Sequence, residues 1–85
     1  MNKRIRVFMV DDNKKFVESV KEYFSSNESI RVTLIAHDGV EGMKLIKEKQ
    51  DEYDVIILDL IMPRKDGVTV LEEMKELNID KKVIV

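Results

Sequence analysis

Asp54-Val55-Ile56-Ile57-Leu58-Asp59-Leu60-Ile61-Met62-Pro63-Arg64-Lys65-Asp66-Gly67 is the stretch that decides the fold. Residues 55–58 form a wholly apolar run that stops at Asp59, the pattern of a strand buried on both faces. A loop containing Pro63 follows. Asp66-Gly67 then opens a helix carrying Val70, Leu71, Met74 and Leu77 at three-and-four spacing. Beyond it, Lys82-Val83-Ile84-Val85 reads as another strand.

Working back from Asp54, the same alternation recurs. Ile5 to Val10 is a mostly apolar run that ends abruptly at Asp11-Asp12-Asn13. A helix follows with Phe16, Val20 and Phe24 four apart and Val17 beside them; Asp12 or Asn13 caps its start. Ser25-Ser26-Asn27 ends it. A second β-rich run covers Ile30 to Ala36. Asp38 with Glu41 three residues later has the form of a capping box, and the helix after it carries Val40, Met43, Leu45 and Ile46. The order is βαβαβαβ, which implies right-handed crossovers and a parallel sheet. Ligand sites in such sheets lie at the carboxyl ends of strands. Asp11-Asp12 ends the first strand and Asp59 the third. If those strands are neighbours, three carboxylates converge at one rim.

Composition sets limits on the function. The chain has 85 residues, 44% hydrophobic and 38% charged, which fits one folded domain rather than a disordered segment. The net charge of −2 is too even to predict a nucleic-acid or membrane partner. With no cysteine, disulfides and thiolate metal sites are excluded. No apolar run is long enough to span a bilayer. Met1-Asn2-Lys3-Arg4 precedes too short an apolar run for a signal peptide, so a cytoplasmic location is expected.

Three carboxylates packed together repel one another unless a cation neutralises them. Oxygen ligands suit Mg²⁺, which usually shares its shell with water and phosphate. Such a site suits phosphoryl transfer, with one carboxylate as nucleophile forming an acyl phosphate and the metal offsetting charge on the transferring oxygens. Asp59, alone at its strand end, is the better nucleophile. Asp11 and Asp12, side by side, are the better metal holders. Each residue also has a plainer reading. A single Asp after a strand is usually a turn or cap residue. Lys14, Lys15, Arg64 and Lys65 are most simply solvated, His37 lies on the surface, and Met43 and Met74 pack in the core. The conjunction of two aspartate sites with the loop after Asp59 favours the functional reading.

That conjunction resembles the response-regulator receiver family. Val10-Asp11-Asp12-Asn13 looks like the family's metal-binding segment, and residues 54–67 look like its phosphorylation segment. The Asp38-Gly39 turn also matches. Within the family, Val10-Asp11-Asp12-Asn13, Ile61-Met62-Pro63 and Val70-Leu71-Glu72 resemble the receiver of the sporulation master regulator of endospore-forming bacteria. The resemblance implies that Asp59 takes phosphate from a histidine kinase or phosphotransfer protein. It implies Mg²⁺ held by Asp11, Asp12, Asp59 and the Ile61 backbone carbonyl. Pro63, Asp66 and Gly67 shape the loop. It implies a role in its own phosphorylation rather than an enzyme in the usual sense, and a transcriptional output domain, the only route to nucleic acid.

The implied fold is a flavodoxin-like, doubly wound α/β sheet. Here it is expected to be incomplete, with about four strands in the order 2-1-3-4 and three helices over residues 1–85. A fifth strand and the last two helices are expected to be missing. The family's switch Ser or Thr and its phosphate-pairing Lys follow the fourth and fifth strands and have no counterpart here. An exposed fourth strand is expected to favour a homodimer or domain-swapped oligomer. Two other functions compete. One is an interaction fragment that does not use phosphate. The other is a phosphohydrolase, disfavoured because such enzymes often carry an Asp two positions after the nucleophile, where Ile61 stands.

Overall fold

The structure, a computed structural model, describes residues 4–85; Met1-Asn2-Lys3, part of the lead read above against a signal peptide, lie outside the described residues. Its elements are β1 (Ile5–Val10), α1 (Lys14–Tyr23), β2 (Ile30–Ala36), α2 (Gly39–Glu48), β3 (Val55–Leu58), α3 (Gly67–Glu76) and β4 (Lys82–Ile84). A short 3₁₀ turn, Gln50–Glu52, leads into β3. All strand pairs are parallel, as the alternating pattern implies, and the order is β2-β1-β3-β4, the one implied by the family resemblance.

Central position explains the apolar runs. β1 and β3 have neighbours on both sides, and their side chains alternate between two cores. Phe8, Val10, Ile56 and Leu58 join Met43 and Ile46 of α2 and Val70 and Met74 of α3. Val7, Met9 and Val55 join Val17 of α1 on the opposite face. Tyr53 is fully buried beside Phe8, with ring centroids 5.4 Å apart, and its hydroxyl donates to the Ile46 carbonyl at 2.9 Å. That bond satisfies the one polar atom on an otherwise apolar side chain.

Each helix starts on a side-chain cap. Asn13, not Asp12, caps α1, accepting from the Phe16 amide at 3.0 Å. Asp38 caps α2 and Asp66 caps α3, through the amides of Glu41 and Thr69. The reciprocal half of the capping box differs from expectation. Glu41 reaches the His37 amide, at 3.4 Å, one residue before the cap. Gly42 lets α2 sit close on β1, since a Cβ there would lie 2.8 Å from a Val10 methyl.

Three of the expected core positions are exposed. Phe16, at the edge of the α1 stripe, is half exposed, while Val17 takes the centre. Val40 and Leu77 are also largely exposed, Val40 because Gly39, Gly42, Met43 and Ile46 fill the buried side of α2.

Candidate functional site

Register builds the site. Val10 of β1 pairs with Leu58 of β3 and with Ala36 of β2. The next residues out are therefore Asp11 and Asp59. The Asp59 amide donates to the Val10 carbonyl at 2.9 Å, and the Asp11 amide to the Ala36 carbonyl at 3.0 Å. Both backbones are thus tied to the sheet to its last rung. Asp12 follows in the turn into α1. One carboxylate oxygen from each of Asp11, Asp12 and Asp59 lies within 4.8 Å of the others. Asp11 and Asp59 are half-buried and Asp12 is exposed.

The carboxylates of Asp11 and Asp59 are further restrained. Asp11 Oδ1 accepts from the Asn13 amide at 2.9 Å and Asp59 Oδ1 from the Ile61 amide at 3.1 Å. None of the ion pairs among the described residues involves any of the three. A concentrated negative charge with oxygen donors only and no internal cation fits a hard divalent ion, which tolerates such ligands and keeps some water. Asp11, Asp12 and Asp59 are the residues that would hold it.

The loop after Asp59 is shaped as its sequence suggests, by a different mechanism at one point. Ile61 is strongly exposed at the rim, 86%, while its neighbour Met62 is buried in the core. The Pro63 carbonyl accepts from the Lys65 amide at 2.8 Å, and the Leu60 carbonyl from the Gly67 amide at 3.0 Å. Asp66 caps α3, and the Thr69 backbone amide is the main reason its carboxyl sits below the usual range. Gly67 does not use glycine's access to left-handed backbone; no glycine here has positive φ. It is required by proximity. A Cβ at Gly67 would lie 2.5 Å from the Asp59 carbonyl oxygen and 2.7 Å from the Leu60 Cα. The left-handed residue in the loop is Arg64, φ 70°.

Several residues read as solvated or as surface are tied down. Arg64 pairs with Asp38 at 2.8 Å, and Lys65 pairs with Glu73. His37 is half-buried, and its Nδ1 lies 3.0 Å from the Asp11 carbonyl, bridging the ends of β1 and β2. A sequence reading could have flagged His37 only from its place one residue past a strand end. The opposite end of the sheet carries an unrelated cluster. Arg6 binds Asp54 through Nη2 at 3.0 Å and Nε at 3.1 Å. Those bonds are the main reason that the Asp54 carboxyl is lowered to about 2. Lys81 lies there too, donating to the Gln50 and Tyr53 carbonyls, at the end of the sheet opposite the acidic rim.

Comparison with known proteins agrees with this fold. The family profile described as "Response regulator receiver domain" matches residues 7–85. The "Probable C4-dicarboxylate response regulator DctR" of Bacillus subtilis (strain 168) is 37% identical over 83 residues, 98% of this chain and 36% of that protein. The receiver domain of the Francisella response regulator 1452 superposes with a TM-score of 0.81 at 36% identity, covering 94% of this chain and 63% of that one. The CheX-CheY-BeF3-Mg+2 complex of Borrelia burgdorferi gives 0.80 at 30% identity, covering 93% and 58%. The chain thus spans about a third of the curated relative and about three fifths of these solved chains. That curated relative is a dicarboxylate regulator, so it lends no support to the narrower resemblance to a sporulation regulator.

Proposed function

Because the chain belongs to the response regulator receiver domain family, we propose that it is a phosphoacceptor module in which Asp59 takes a phosphoryl group from a phosphohistidine donor. The observation that carries the reading is the convergence of Asp11, Asp12 and Asp59 within 4.8 Å at the carboxyl ends of two adjacent strands. An Asp59 carboxylate oxygen attacks the phosphorus. The new O–P bond forms as the donor's N–P bond breaks, and the electron pair returns to the imidazole nitrogen. Mg²⁺ held by the three carboxylates would neutralise charge on the transferring oxygens.

The chain's own residues supply position. The Val10 carbonyl and the Ile61 amide fix Asp59 from both sides, at 2.9 and 3.1 Å. Half-burial limits the rotamers the carboxylate can take, so little ordering remains to be done at the moment of transfer. The Ile61 backbone carbonyl is proposed as a further ligand. The donor is a histidine kinase or phosphotransfer protein. The module acts on its own aspartate rather than turning over a free substrate, and it serves an output domain outside this chain.

Exposure to a small-molecule phosphodonor with Mg²⁺, followed by intact mass measurement, tests the reading. One added phosphoryl group, absent in Asp59→Asn, is expected. No addition to a chain shown to be folded would overturn it. A second reading, an interaction module indifferent to phosphate, draws on the exposure of Ile84 and Val85 around β4, which has a partner strand on one side only among the described residues. Under it, light scattering finds a concentration-dependent dimer that Ile84→Lys dissociates.

A further inference from the structure

The acceptor loop is anchored at a point that nothing in its own sequence requires. Arg64 has φ 70°, a left-handed conformation that side-chain-bearing residues seldom take. Its Nη1 donates to Asp38 Oδ2 at 2.8 Å. The partner is the more enclosed of the two, 18% exposed against 63% for Arg64. Asp38 is also the N-cap of α2, its Oδ1 accepting from the Glu41 amide at 2.8 Å. One carboxylate therefore holds both the start of α2 and the loop that follows Asp59.

A second contact lies beside the first. The Lys65 carbonyl rests against the α-carbon of Gly39, leaving no room for a side chain there. The Lys65 ammonium continues to Glu73 on α3. Between these anchors and the sheet, the loop carries the Ile61 amide that restrains Asp59 Oδ1.

We propose that Arg64 is a positioning residue for the Asp59 site: paired across the rim with Asp38, it fixes the acceptor loop on the first turn of α2 and so holds the Asp59 carboxylate in its ion-binding orientation. This rests on the reading of the three carboxylates as a divalent-cation site. It makes α2 and the acceptor loop one mechanical unit. A partner that displaces the start of α2 then loosens Asp59 without touching it.

Two variants separate the ion pair from the backbone. Arg64→Gly removes the pair and relaxes the left-handed backbone. Asp38→Asn removes the charge and keeps a side chain that caps well. Water-proton relaxation titrated with Mn²⁺ measures cation affinity, and amide exchange by NMR on the metal-free protein measures loop order. Each variant is expected to bind Mn²⁺ about two- to fivefold more weakly, the scale of a part-exposed ion pair. The double variant is no weaker than either, Arg64→Lys recovers part of the loss, and the Ile61 amide exchanges faster in both. Wild-type Mn²⁺ affinity with unchanged Ile61 exchange, or losses that add in the double variant, would overturn the proposal. If the wild-type chain binds no Mn²⁺, the cation-site reading fails instead, and Ile61 exchange alone decides the clamp.

Discussion

Replacing Gly67 with alanine sets two effects of known size against each other. Gly67 is the first residue of α3 and has no positive φ, so on propensity alone alanine gains about 0.5–1 kcal/mol. Sterics oppose this. The new Cβ would stand 2.5 Å from the Asp59 carbonyl oxygen and 2.7 Å from the Leu60 Cα. Ordinary contact begins near 3.4 Å, so the backbone must separate by most of an ångström. Both neighbours are main chain, and one belongs to the proposed acceptor, so neither yields by a rotamer change. Overpacking of this kind costs about 1–3 kcal/mol. The net expectation is a loss centred on about 1 kcal/mol and reaching about 2.5 kcal/mol, with roughly 4–8 °C in Tm for each kcal/mol in a domain of this size. Urea denaturation and calorimetry measure it. Mn²⁺ titration of the folded variant should show weaker binding, because the shift falls on Asp59. A Gly67→Ala chain as stable as wild type, with unchanged Mn²⁺ affinity, would refute the close-approach argument.

Other perturbations follow from the same contacts. Asp12→Asn leaves α1 capped by Asn13 and should weaken Mn²⁺ binding at least about tenfold, the scale on which even outer partners of a metal act, with little change in Tm. Asp54 is held at about 2, below the ordinary 3.8, chiefly by its hydrogen bonds to Arg6. A carboxyl depressed on folding stabilises above its unfolded value and loses that contribution as pH falls from near 4 toward 2. Both partners are over a third exposed, so the effect should be about 0.5–1 kcal/mol; Asp54→Asn should flatten the stability profile in that window, and an unchanged acid limb would count against the pair. Tyr53→Phe removes a buried donor and strands the Ile46 carbonyl's partner bond; chemical denaturation should show a loss of about 1 kcal/mol.

The parallel sheet was legible from the alternation alone, whereas the strand order that sets β1 beside β3, and with it the acidic rim, was carried by the family resemblance. Apolar runs ending in Asp, separated by helical periods, leave few parallel topologies, and placing β1 beside β3 brings Asp11 and Asp59 together without any detail of side-chain packing. The cap at Asp38 was legible because it is local, whereas Asp66 was read only as the opening of a helix. Contacts between loops were not. Nothing in the sequence announces that Arg64 reaches Asp38, or that His37 reaches the Asp11 carbonyl, because each joins segments about 26 residues apart through long or flexible side chains. Gly67 shows the intermediate case. A special glycine could be expected before α3, but whether φ or proximity required it depended on where the helix start meets the acceptor backbone. Phe16 shows how periodicity blurs at an edge: a residue spaced four from Val20 still falls outside the buried stripe.

The central claim is that Asp59, among three adjacent carboxylates, is the phosphoacceptor. After incubation with a small-molecule phosphodonor and Mg²⁺, borohydride reduction of the acyl phosphate, proteolysis and peptide mass spectrometry locate the modified residue. The account predicts conversion of residue 59 to homoserine, with Asp11 and Asp12 intact. Modification at Asp11, Asp12 or His37, or label that persists in Asp59→Asn, would contradict it.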